Sequence, residues 1–138
     1  MGGARMIVLD THTLLWMDSN DVTLGPAARA AIELAWRTDG VAVSAISFWE
    51  VAMLAQRGRI NLPVDAVVWR MELLHAGLQE IALDGRIAMT AAALEGIHRD
   101  PADRFIVATA QCQTAKLVTA DEKILAWTGT VSRQDARR

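Results

Sequence analysis

Short apolar runs alternate with longer stretches of helix-forming residues along the chain. Met6–Leu9 is apolar and stops abruptly at Asp10, the pattern of a buried strand. Pro26, after Leu24-Gly25, stands where proline favours a helix start, and Ala27–Trp36 continue as good helix formers. Asp39-Gly40 marks a turn before a second apolar run, Val41–Ala45. Ser47 with Glu50 three residues on is a capping-box pattern that opens a helix closed by Gly58. Pro63 opens a further helix that ends near Gly77. Leu78–Leu83 then reads as a third strand and Arg86–Leu94 as a helix. Asp100-Pro101 is a sharp boundary that starts a helix with Phe105–Gln113 as its body. Lys116–Thr119 reads as a strand and Asp121–Trp127 as a short helix.

Strands that alternate with helices imply parallel pairing, so the predicted fold class is α/β: a three-layer α/β/α sandwich around a central, mostly parallel sheet. Right-handed crossovers would set the carboxyl ends of the strands on one edge, where such sheets place their sites.

Composition narrows the class without naming a function. The 138 residues suit a single domain spanning 1–138. Residues 1–5, which add little to any pattern, and the tail Ser132–Arg138, which has no counterpart in the family resemblance given below, are expected to be flexible. Apolar residues make up 52% of the chain, which excludes intrinsic disorder as the organising state. The uncharged runs Gly40–Trp49 and Phe105–Ala115 are too short to cross a bilayer, and Met6–Leu9 is no signal-peptide core. Met6 is an alternative start to Met1. A lone cysteine, Cys112, forms no internal disulfide and fits a cytoplasmic setting. The net charge of −2 supplies no global basic footprint. Any affinity for nucleic acid must therefore come from a local arrangement of metal and arginine.

The candidate chemistry is carboxylate. Asp10 ends the first strand, Glu50 lies in the first turn after the second, Asp121 follows a late strand, and Asp103 sits in the first turn after Pro101. Capping alone explains Glu50, Asp100 and Asp121 when each is taken singly, at about 1 kcal/mol apiece. Asp10, followed by Thr11-His12-Thr13, shows no obvious cap pattern. If the strand ends gather these acids, carboxylates about 5 Å apart repel by roughly 3 kcal/mol per pair at an effective dielectric of 20. Either protonation or a divalent cation must relieve that repulsion, and oxygen-only ligands point to Mg²⁺ or Mn²⁺ rather than zinc.

The segments VLDTHTLLW (Val8–Trp16), SAISFWEVAML (Ser44–Leu54), HRDPADRFIVATA (His98–Ala110) and LVTADEKI (Leu117–Ile124) resemble PIN-domain ribonucleases, in particular the VapC-like toxins of type II toxin–antitoxin pairs. The blocks come in the family's order, and the resemblance runs from Met6 to about Val131. It implies a PIN-like fold and an endoribonuclease that cuts RNA. It also implies a catalytic, metal-binding quartet of Asp10, Glu50, Asp103 and Asp121, with Thr119 and Asp100 in support. A small cognate antitoxin, a homodimer and no membrane association are the implied partners. The alternative is a PIN-like binding module without catalysis, its acids serving as caps.

Arg99 and Arg104 flank the acids and are candidate phosphate contacts, with an ion pair to a neighbouring acid as the structural alternative for Arg104. His12, His75 and His98 show no paired helical spacing, so His98 reads as a packing or hydrogen-bonding residue before the turn. Trp16, Trp49 and Trp69 sit among apolar neighbours and read as core or interface. A phosphatase-type aspartyl nucleophile is excluded in practice, because histidine replaces the second acid in Asp10-Thr11-His12-Thr13.

Overall fold

In the computed structural model, which describes residues 5–138, all five strands pair in parallel in the order β3-β2-β1-β4-β5. The strands are β1 (Ile7–Leu9), β2 (Val41–Ser44), β3 (Gln79–Ile81), β4 (Lys116–Thr119) and β5 (Ser132–Asp135). The helices are α1 (Thr11–Asp18), α2 (Pro26–Arg37), α3 (Ala45–Gln56), α4 (Ala66–His75), α5 (Gly85–Ala93), α6 (Pro101–Cys112) and α7 (Glu122–Ala126). The expected flexibility of residues 1–4 lies outside the described residues.

The sheet is covered on both faces, which is why its central strands are apolar throughout rather than alternating. Ile7 and Leu9 of β1 pack with Leu14, Ile32, Val51 and Trp69 on one side. Val8, between them, packs with Ile106, Val107 and Ile124 on the other. A strand's period of two therefore divides one apolar run between two cores. The three-layer reading of the sequence is the architecture observed.

Three local expectations are corrected. Helix α1 follows β1 directly, where no helix was expected, because the contiguous Leu14-Leu15-Trp16-Met17 shows no amphipathic period. Helix α3 begins at Ala45, not Ser47: Ser44 is its N-cap, and its hydroxyl accepts from the Ile46 N–H at 3.2 Å. Strand β2 runs straight into this helix, which places Ser47 inside it, fully buried. Helix α4 starts at Ala66 with Asp65 as cap, three residues beyond Pro63.

The segment expected to be a loose tail is β5 and its continuation. It pairs with β4 from Lys116↔Ser132 to Thr119↔Asp135. Beyond the strand, Ala136 donates to Thr119 O at 2.9 Å and its own carbonyl accepts from Gly25 N–H at 2.8 Å. The Arg138 carbonyl takes the orphan N–H of Ala28 in the first turn of α2 at 2.9 Å. Gly25 permits this docking, since a Cβ there would lie 2.2 Å from the Arg138 carbonyl carbon.

Candidate active site

The strand order reverses beside β1: β2 lies on one side and β4 on the other, so the carboxyl ends of β1 and β4 flank a topological switch point. A cleft of about 320 Å³ opens there, and Asp10, Glu50, Asp100, Asp103 and Asp121 all line it. The structure thus brings the sequence's candidate acids together on one edge.

Each acid arrives by a different local route. Asp10 leaves β1 and is the N-cap of α1, accepting from the Thr11 N–H at 2.8 Å; this corrects the reading that Asp10 had no cap role. Its second oxygen accepts from the Thr119 hydroxyl at 2.5 Å, and that hydroxyl in turn accepts from the Asp121 N–H at 3.0 Å. Thr119, at the end of β4, therefore ties the β1 acid to the β4 acid. Asp121 caps α7 through the Lys123 and Ile124 N–H groups at 2.8 and 3.1 Å. Asp100 caps α6 through the Asp103 N–H at 3.2 Å.

Glu50 and Asp103 behave differently. With α3 starting at Ala45, Glu50 falls in the second turn and the capping-box reading is overturned. Its Oε1 instead accepts from the Thr11 hydroxyl at 2.5 Å, and Thr11 Oγ1 also lies 2.9 Å from the buried Ser47 hydroxyl. Asp103 caps nothing; its carboxylate points at the other acids.

The electrostatics follow from that placement. Asp103 is pushed up to about 8, chiefly by burial and then by repulsion from Asp10, Asp100, Asp121 and Glu50. Burial also raises Asp10, against the hydrogen bonds from Thr119 and Thr11 that favour its charged form. Glu50 is raised by burial as well, partly offset by Thr11. The cluster as folded is short of positive charge.

His98, read from the sequence as a packing residue, comes into the site. Its Nε2 lies 3.1 Å from Asp103 Oδ2 and 3.7 Å from Asp121 Oδ2, and makes no aligned hydrogen bond among the described residues. One donor atom each from His98, Asp103 and Asp121 falls within a 4.8 Å span, an arrangement able to hold a metal ion. No spacing rule reveals this histidine, because it lies in the loop before α6 and reaches the acids through tertiary folding.

Arg104 is corrected outright. It contacts neither acid nor cleft. Its guanidinium donates to the carbonyls of Ala91 (3.1 Å), Ala92 (3.3 Å) and Leu94 (2.7 Å), with those of Ile97 and His98 at 3.5 Å. It closes the carboxyl end of α5 and fixes the loop that carries His98. Arg104→Lys cannot span this fan of acceptors, and is expected to lower unfolding free energy by about 2–4 kcal/mol in urea denaturation. Arg99 is exposed beside the cleft, in a second, more open groove. Of the tryptophans, Trp69 is core as expected, Trp49 is 55% exposed, and Trp16 lines the cleft.

The sequence pattern of the PIN domain family matches residues 7–127. Ribonuclease VapC22 of Mycobacterium tuberculosis (strain ATCC 25618 / H37Rv) is 37% identical over 119 residues, 86% of this chain and 88% of that protein. A toxin–antitoxin complex from Klebsiella pneumoniae contains a chain that superposes with a TM-score of 0.62 at 25% identity, covering 91% of this chain and 96% of that one. A chain of VapBC2 from Rickettsia felis, bound to a DNA fragment from their promoter, has a TM-score of 0.69 at 15% identity over 94% and 97%, a likeness of fold alone.

Proposed function

The chain belongs to the PIN domain family, and we propose that it is a metal-dependent endoribonuclease, the toxin of a toxin–antitoxin pair that arrests growth by cutting RNA. The observation that carries this reading is the convergence of Asp10, Glu50, Asp103 and Asp121 in one cleft at the switch point. Glu50 and Asp103 have no capping duty to explain their place there, which weighs against a binding module with structural acids. The 37% identity to a protein named as a ribonuclease supports the same chemistry.

PIN nucleases use a divalent metal, and His98, Asp103 and Asp121 offer donor atoms within one ion's reach, with Asp10 and Glu50 lining the same cleft. Asp10, Glu50, Asp103 and Asp121 would hold it, with Thr119 and Asp100 in support. The oxygen-rich set favours Mg²⁺ or Mn²⁺. Bound there, the cation supplies Lewis acidity to the phosphodiester and to an attacking water. The chain's own part is orientation: Thr119 holds Asp10, Thr11 holds Glu50, and the α7 N-terminus holds Asp121.

The named partners follow the same reading: RNA as substrate, a small cognate antitoxin and a second copy of the chain. Helix α3 exposes Trp49, and helix α4 exposes Val67 and Met71, apolar side chains suited to such a contact. Among the described residues no helix is long and apolar enough to cross a membrane, and a cytoplasmic location is proposed.

Purified protein is expected to cut single-stranded RNA internally with Mg²⁺ or Mn²⁺ and to stop on addition of EDTA. Intact RNA under every metal condition would overturn the proposal.

A further inference from the structure

An RNA strand that enters the acid cleft meets Asp10, Glu50, Asp100, Asp103 and Asp121 on its walls. Among the described residues Arg137 is the lone lysine or arginine lining that cleft. It also lines the neighbouring groove of about 700 Å³, together with Arg99 and Lys123. The two spaces share Asp100, Ala120, Asp121 and Arg137, so Arg137 stands at the passage from the acidic cleft to a groove of mixed charge, where Arg99 and Lys123 face Glu122 and the shared acids.

The fold holds this arginine in place. Pairing of β5 with β4 carries the chain to Ala136, which is fully buried, and directs the next residue over the site. The Arg137 N–H donates to Asp135 Oδ1 at 2.9 Å, and its Nη1 donates to the Ala120 carbonyl at 2.8 Å. The guanidinium carbon lies 5.7 Å from the centre of the Trp16 ring, within cation–π range. No carboxylate lies within ion-pair distance of Arg137 among the described residues. A guanidinium carries five N–H donors in a fixed fork, and the Ala120 contact engages one of them. The remainder make no hydrogen bond among the described residues and suit the bidentate contact that a phosphate accepts.

We propose that Arg137 is a phosphate clamp for the substrate, and that the RNA strand passes from the acid cleft over Ala120–Asp121 into the groove between Arg137 and the Arg99/Lys123 side. This rests on the ribonuclease reading and adds the route of the strand. In a chain of net charge −2 the grip on a polyanion then rests on a few placed cations, Arg137, Arg99 and Lys123, rather than on a basic surface. Arg99, a candidate contact from the sequence, keeps that role on the groove wall; Arg104 yields it to Arg137.

The test is steady-state cleavage of a mixed-sequence, fluorescently labelled single-stranded RNA in Mg²⁺ at several NaCl concentrations. The wild-type protein is compared with Arg137→Gln and Arg137→Lys. Glutamine can still bond the Ala120 carbonyl but carries no charge. Arg137→Gln is expected to raise KM about tenfold, with a smaller change in kcat. The slope of log(kcat/KM) against log salt should flatten by about 0.7, the loss of one single-strand phosphate contact. Arg137→Lys should recover part of the affinity, and the Mg²⁺-induced rise in Tm should match wild type in both variants. Unchanged KM and salt slope in Arg137→Gln, beside a wild-type protein that cuts RNA, would overturn the clamp and leave the ribonuclease reading standing. A fall in kcat at constant KM would also overturn it, by making Arg137 a support of the acid cluster. Failure of the wild-type protein to cut RNA would remove both.

Discussion

Asp103→Asn and Asp10→Asn are expected to abolish RNA cleavage, on the order of 10³-fold or more, while metal-free protein melts at the same temperature or higher. The two halves of that result have separate physical causes. Loss of a carboxylate removes a hard anionic oxygen from the set that would hold the cation. Retained stability follows because asparagine preserves shape and relieves repulsion, the loss of the Thr119 hydroxyl's bond to the second Asp10 oxygen being offset by an amide N–H that can donate to Thr119 Oγ1. At position 10 it still accepts the Thr11 N–H, and asparagine is as good a helix cap as aspartate. At position 103 the carboxylate caps nothing, and its neighbours Asp10, Asp100, Asp121 and Glu50 all disfavour its charge. Cleavage assays beside thermal melts in EDTA give the answer. A large drop in metal-free Tm with either variant would assign the acids to structure instead.

Metal-free stability is expected to fall as pH rises from about 4 to about 8, and divalent cation should restore it. Asp103 in the fold holds its proton up to about 8, whereas in the unfolded chain it ionises near its ordinary value of 3.8. Between those limits the unfolded state binds fewer protons than the native state, so each step up in pH favours unfolding. The stabilising effect of the neutral carboxyl is thus complete below the unfolded value and lost as pH climbs through the folded one. Burial of Asp10 and Glu50 acts in the same direction. The slope is at most about 1.4 kcal/mol per pH unit for each proton withheld. Cation binding must displace the Asp103 proton, so Mg²⁺ affinity should increase over the same range. Urea titrations across pH, with and without Mg²⁺, check both statements. Asp103→Asn should flatten the dependence; an unchanged pH profile in that variant would place the titration elsewhere.

Much of this protein is legible along the chain because its signals are local. The apolar runs at Met6–Leu9 and Val41–Ala45 announce buried strands, Lys116–Thr119 reads as another, and Pro26 and Pro101 announce helix starts. Those elements alone give an α/β sandwich and put Asp10 and Asp121 at the carboxyl ends of β1 and β4. Glu50 and Asp121, each with a capping explanation, are secured from the sequence mainly by resemblance, and the capping argument against Glu50 rests on a helix start three residues late.

Other features depend on what folds against what. Strand β5 reads Ser-Arg-Gln-Asp, half-exposed at the sheet edge, with no alternation or apolar content to mark it; only its ladder to β4 makes it a strand. Helix α1 has its apolar residues in one block, so no period reveals which of them face the sheet. His98 and Arg104 look alike from sequence, two polar residues beside an acidic motif. Tertiary packing sends one into the acids and the other into the carbonyls at the end of α5. Arg137 is invisible as a site residue until β5 lays it across Trp16 and Ala120. The sequence by itself determined the sandwich and the acids, since strand runs, helix starts and motif spacing are properties of neighbouring residues. Which acids repel, which histidine joins them and which arginine lines the cleft were decided only by the tertiary structure, because those are distances between residues far apart in the chain.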